Sequence, residues 1–142
     1  RLDTVSGGEK RKVALASTLV LNQEILLFDE PTAGMDPQSR DDLLLLFKTL
    51  ISQGKTILIA SHRLDELAEI SDELSIMKSG KVLEISATGH LLFNEDVIGE
   101  SGLCAPLIIR IIKKLMENGW PLNQANCVRA DQLFEILEGA TS

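Results

Sequence analysis

Four apolar residues run unbroken from Ile25 to Phe28 and stop at Asp29-Glu30-Pro31. An apolar run of that length, without polar alternation, suits a strand buried on both faces, as in parallel sheets covered by helices. Thr56 to Ala60 repeats the pattern further along. Between the two runs, Asp36-Pro37 fits a helix start, with Asp36 as N-cap and Pro37 in the first turn. Leu43, Leu44, Phe47, Leu50 and Ile51 then share one helical face, and Gly54 suits the C-terminal cap. Strand, helix, strand in this order predicts an α/β layered core with a parallel sheet.

The remaining stretches add to that core. Ser6 can cap a helix reaching about Leu21, with Glu9 completing an S-x-x-E capping box and Asn22-Gln23 forming the turn that follows. Pro31 to Asp36 reads as a loop. A short helix carrying Leu64, Leu67 and Ala68 leads to strands over 74–78 and 81–86, joined by Ser79-Gly80 as a tight hairpin. Residues 1–87 thus form the expected core, and 88–101 reads as a polar connector with one helical turn at His90 to Phe93. Residues 102–142 are expected as a helical extension. Its first helix begins at Pro106, turns Leu107, Ile108, Ile111, Ile112 and Leu115 to one side with Ile109 and Met116 flanking, and ends at Asn118-Gly119. Its last helix carries Leu133, Phe134, Ile136 and Leu137. Two helices of this size bury too little area to stand alone, so they should dock on the core or on another copy.

The chain has 142 residues, 44% of them apolar, which is enough for a core. A net charge of -7 argues against nucleic acid as a partner, because neutralising phosphates calls for a basic face. No apolar run approaches the ~18 residues needed to cross a bilayer, so membrane contact is expected through a partner. Cys104 and Cys127 lack metal-ligand spacing and read as buried or idle thiols. Arg1 is neither an initiator Met nor the start of a signal peptide, so the chain is expected to be a fragment of a longer protein.

Two places carry chemistry. Ser6-Gly7-Gly8-Glu9 opens a helix, and that alone could be a plain helix start. A cap needs no second glycine, however, whereas a phosphate approaching the first turn needs backbone without Cβ in its way and the positive end of the helix dipole. Lys10-Arg11-Lys12 reads as a solvated face. At the C-terminal edge of the first predicted strand, Asp29 and Glu30 stand where α/β sheets bind ligands. The plain alternative is two acids capping a loop. Side chains alternate along a strand, so the acids diverge, which suits Asp29 for an Mg²⁺ shell and Glu30 for a water beside a terminal phosphate. His62 follows the next strand at the same edge. No G-x-x-x-x-G-K-[ST] loop occurs from Arg1 to Ser142, so the main phosphate cradle of such a site is not in this chain.

Taken together, these residues resemble the C-terminal part of an ATP-binding cassette (ABC) ATPase, a P-loop NTPase. Val5-Ser6-Gly7-Gly8-Glu9 is similar to the LSGGQ signature, Ile25 to Glu30 to the Walker B strand with its catalytic Glu, Ala33-Gly34-Met35-Asp36 to the D-loop, and His62 to the switch histidine. The resemblance covers Arg1 to about Ala87. It implies two ATPase subunits closing head to tail, with Ser6, Gly7, Gly8 and Glu9 at the partner's ATP, Asp36 at the nucleotide site, Asp29 on Mg²⁺, Glu30 on the attacking water and His62 on the γ-phosphate. Val5 stands where the family has Leu, and Glu9 where it has Gln. Neither change removes a backbone N–H, although Glu9 brings negative charge near a nucleotide unless its carboxylate turns back to its own helix.

A narrower resemblance lies in Gly7 to Ala16 and Asp29 to Pro37, which are similar to the ATPases of energy-coupling factor importers and of cobalt or nickel importers. Gly102-Leu103-Cys104-Ala105-Pro106, the helix ending at Gly119 and the final helix resemble the C-terminal extension of those ATPases. That likeness implies integral membrane transport subunits as partners, uptake of a vitamin or a transition-metal ion, and a place at the cytoplasmic face of the cell membrane. The competing class is the C-terminal ATPase lobe of a chromosome-organising or DNA-repair protein, which also has an SGGE-type signature and Walker B without Walker A. Pro31-Thr32-Ala33-Gly34 after Glu30, the acidic charge and the absence of a long heptad pattern stand against it. A third reading, an interaction module with vestigial motifs, conflicts with Ser6, Asp29, Glu30 and His62 all being intact.

Overall fold

The computed structural model describes residues 17, 22–122 and 129–140. They belong to two compact units, Arg1–Ser61 and His62–Ser142. Apart from Ser17, the helix expected to follow Ser6 lies outside the described residues, as do Ser6-Gly7-Gly8-Glu9 and Cys127.

In the first unit, β1 (Ile25–Asp29) and β2 (Thr56–Ala60) pair in parallel, in register from Ile25↔Thr56 to Asp29↔Ala60. The ladder continues one step at each end: the Thr56 N–H donates to the Glu24 carbonyl at 2.9 Å and the Glu30 N–H to the Ala60 carbonyl at 2.8 Å. The crossover is α1 (Pro37–Ser52). Asp36 is extended (φ -70°, ψ 160°), and its Oδ1 accepts the Ser39 N–H at 3.0 Å, satisfying one of the orphan donors of the first turn. At the other end Gly54 takes φ 85°. Its N–H donates to the Ile51 carbonyl and the Lys55 N–H to the Leu50 carbonyl, a Schellman closure that only a residue comfortable in the left-handed region can make cheaply. Lys55 Nζ then donates to Asn22 Oδ1 at 2.7 Å, tying the entries to the two strands together.

Leu26, Leu43, Leu44, Phe47 and Leu50 are buried, and the rings of Phe28 and Phe47 stand 4.8 Å apart. Ile51, expected with them, is half-buried. The strands depart further from expectation. Leu27 is 68% exposed, and Ile25 and Leu58 are nearly as open. Successive side chains point to opposite faces of a strand, and among the described residues α1 covers one face of this two-stranded sheet.

The second unit begins with α2 (Leu64–Ile70), which buries Leu64, Leu67 and Ala68 as expected. A hairpin of β3 (Glu73–Lys78) and β4 (Lys81–Ala87) follows. Ser79 (φ 49°) and Gly80 (φ 74°) are both left-handed, the backbone of a type I′ turn whose twist matches its strands. The register shifts between Ile76 and Met77, so Leu83 on β4 has no opposite number.

Residues 88–101 hold more structure than a connector with one turn. They form α3 (Thr88–Phe93) and α4 (Glu95–Ser101), and Leu91, Leu92 and Ile98 are buried. Asn94 serves both helices. It ends α3, its Oδ1 accepts the Val97 N–H at 3.3 Å, and its Nδ2 donates to Glu84 on the hairpin at 2.9 Å. Lys78 donates to the Glu100 carbonyl at the end of α4.

In α5 (Leu107–Glu117) the buried stripe lies one step round from the expected one. Ile109 and Ile112 are both 0% exposed, whereas Leu107 and Ile111 face outward. Lys113 fixes this rotation. Its ammonium donates to the Phe93 carbonyl at 3.0 Å and to Glu95 Oε1 at 2.6 Å, and it lies 5.6 Å from the centre of the Phe93 ring. Gly119 (φ 85°) closes α5 as Gly54 closes α1. In α6 (Ala130–Ala140) Leu133 is buried and Phe134 exposed, and Arg129 Nη1 donates to the Glu69 carbonyl of α2 at 3.3 Å.

Candidate active site at the end of the parallel strands

The C-terminal edge of β1 and β2 is built by a break in alternation. Along β1, Leu26 and Phe28 turn toward α1 while Ile25, Leu27 and Asp29 turn to the open face. Continued alternation would drive Glu30 under α1, into an apolar core, where an ionised carboxylate is costly. Glu30 instead takes φ 44°, in the left-handed region. For a residue with a Cβ that costs roughly 1–2 kcal/mol, because Cβ crowds the following carbonyl. The cost is offset by bonds on both sides of the kink: the Glu30 N–H to the Ala60 carbonyl, and the Ala33 N–H to the Glu30 carbonyl at 3.2 Å. Glu30 is left half-buried, with Asp29 exposed beside it.

The loop beyond is anchored from within. Thr32 is 1% exposed, and its carbonyl accepts the Met35 N–H at 3.1 Å. Gly34 takes φ 71°, bringing the chain round to Asp36. Asp36 stands two residues past that turn as the cap of α1.

Glu30 also has a side-chain neighbour that the sequence reading passed over. Ser61 Oγ donates to Glu30 Oε2 at 3.2 Å. Strand register could have found it: Asp29 pairs with Ala60, so the next residue on each strand, Glu30 and Ser61, leave the sheet side by side. The structure thus brings Asp29, Glu30 and Ser61 to one edge. His62 is the first residue of the second unit and is exposed there.

Among the described residues no group of three or more His, Cys, Asp and Glu is placed to hold a metal by itself. A single exposed carboxylate at a strand end fits Mg²⁺ carried largely by waters and substrate phosphates, since that ion keeps much of its own shell and takes only one or two protein oxygens.

The chain as a whole resembles known proteins. The chain is an ABC ATPase-like region with the α/β fold of P-loop NTPases. It matches an ATP-binding cassette of an ABC transporter, MJ1267, with a TM-score of 0.60 and 28% identity, over 70% of this chain and 41% of that one. Its curated relatives are more particular: it is 35% identical over 132 residues to the energy-coupling factor transporter ATP-binding protein EcfA3 of Oenococcus oeni, covering 93% of this chain and 46% of that protein. It is also 35% identical over 134 residues to EcfA2 of Spiroplasma kunkelii, covering 94% and 44%. The chain therefore spans somewhat under half the length of these relatives. A family model described as "AAA domain, putative AbiEii toxin, Type IV TA system" matches residues 1–68.

Proposed function

We propose that this chain is the C-terminal part of the ATP-hydrolysing subunit of an ABC importer of the energy-coupling factor or cobalt/nickel type. The observation that carries this is the strand edge where Asp29 and Glu30 emerge together, one on the open face and the other turned aside by a left-handed backbone. In that reading Glu30 is the general base. It accepts a proton from the water that attacks the γ-phosphorus of ATP, and the bond to the departing ADP oxygen breaks. Asp29 would hold Mg²⁺ through one carboxylate oxygen, and the ion would supply neutralisation of the phosphate charge. His62 contacts the γ-phosphate, Asp36 lines the nucleotide site, and Ser6, Gly7, Gly8 and Glu9 reach the ATP of a second ATPase subunit.

The length of the relatives' match favours the importer over other ATPases. The AAA family model stops at Ala68, within α2, whereas an alignment of 132 residues with an energy-coupling factor protein must take in most of the second unit. Among the described residues no helix is long and apolar enough to cross a membrane. Uptake of a vitamin or metal ion then runs through integral membrane subunits, with this subunit at their cytoplasmic face and no nucleic acid involved.

The test is Glu30→Gln in the complete ATPase. ATP binding is expected to persist while hydrolysis falls by at least ~10²-fold, the usual cost of losing a positioned base. Near-normal turnover would mean that something else activates the water.

A further inference from the structure

We infer that Ser61 is a positioning residue for Glu30, orienting its carboxylate for proton abstraction. The inference rests on the reading of Glu30 as the base, and the juxtaposition behind it lies within one unit. Asp29 and Ala60 are the last paired residues of the two strands, and the Glu30 N–H still donates to the Ala60 carbonyl at 2.8 Å. Backbone positions 30 and 61 are thus held beside each other by the sheet.

A glutamate side chain nonetheless keeps three torsions between a fixed backbone and its carboxylate, and each one lets the basic oxygen swing away from a water. The Ser61 hydroxyl, half-buried and donating to Oε2 at 3.2 Å, supplies a second fixed point at the far end. A donor on one carboxylate oxygen fixes the plane of the group and so the direction of Oε1. The choice of donor also matters chemically. An ammonium or guanidinium would hold the carboxylate more tightly but would stabilise its charge and blunt it as a base, whereas a hydroxyl orients it without adding a positive charge. The separation is at the long end for an O–H···O bond, as is common for catalytic contacts before substrate draws them together.

Steady-state hydrolysis by the complete ATPase tests this. Ser61→Ala is expected to lower kcat about tenfold, the scale of losing one orienting contact, while leaving the KM for ATP within about twofold and the melting temperature unchanged. Ser61→Thr keeps the hydroxyl and should restore most of the rate. In a Glu30→Gln background Ser61→Ala should have no further effect, because no base remains to be placed. The inference is overturned if Ser61→Ala hydrolyses at the normal rate while Glu30→Gln does not, or if the rate falls equally in both backgrounds. It is likewise overturned if the loss tracks a lowered melting temperature that Thr fails to restore. Normal turnover by Glu30→Gln itself removes the base, and this inference with it.

Discussion

The two units handle apolar surface in opposite ways. Among the described residues, the first sets a parallel pair against the helix α1, leaves Ile25, Leu27 and Leu58 open, and holds a strained residue at the strand edge. The second has its hairpin and short helices closed around Leu91, Leu92, Ile109 and Ile112, all 0% exposed, and latches them with Lys78 and Lys113 onto backbone carbonyls. Burial and chemistry are thus divided along this chain. The acids and the left-handed kink sit in the first unit, and the second contributes to the proposed reaction only through His62, exposed at its first position, among the described residues.

The contrast can be broken by truncating one leucine in each unit. In urea denaturation of the 142-residue chain, Leu92→Ala should lower unfolding free energy by about 2–4 kcal/mol, through lost burial and the cavity left behind. Leu58→Ala should change it by less than about 0.5 kcal/mol, because its side chain is already in solvent. Equal costs would show that the open face is not open. A smaller effect is expected at the crossover. Asp36→Ala removes the cap of α1 and should cost about 1 kcal/mol in the same measurement.

The smallest effect concerns the latch on α5. The Lys113 hydrogen bond, and then its charge, hold the Glu95 carboxyl below the ordinary value of 4.5. Glu95 thus binds a proton less readily folded than unfolded. Its contribution to stability is present above pH 4.5 and is lost as pH falls through the lower folded value. A carbon-13 NMR titration of Glu95 in Lys113→Gln should show the midpoint rising to the ordinary range, and an unmoved midpoint would mean that the latch is not formed in solution.

Much of this was legible in the residues, for reasons that differ by element. Asp36-Pro37 and Gly54 announced α1 because capping chemistry is local, and Ser79-Gly80 announced the hairpin because few residues accept two left-handed positions in a row. Of the helices in 88–101, the turn at His90 to Phe93 was visible, but its full length and α4 were hidden. Leu91, Leu92 and Ile98 are too few and too close together to show a helical period within short polar segments, and only packing against the hairpin reveals them. The face of α5 was misjudged because Leu107, Ile108, Ile109, Ile111 and Ile112 offer several equivalent stripes. The choice belongs to Lys113, whose partners lie in α3 and α4. At the strand edge, residue type and position were enough for Asp29 and Glu30. Ser61 needed the register, a long-range fact carried by no local pattern.

The backbone at Glu30 has a bearing on how substitutions there should be interpreted. Position 30 screens a replacement twice, once for a carboxylate and once for tolerance of φ 44°. Valine, isoleucine and threonine fail both screens, since a branched Cβ resists the left-handed region. Loss of function with any of them therefore says nothing about proton transfer. Glycine and asparagine pass the conformational screen and fail the chemical one, so Glu30→Gly and Glu30→Asn should yield folded, inert protein. Glutamine inherits the same torsional burden as the native residue and puts a neutral amide, which takes no proton, in place of the carboxylate. In a saturation survey of this codon, abundance and turnover should separate along that line, with amides and glycine abundant but silent and the branched residues depleted in both.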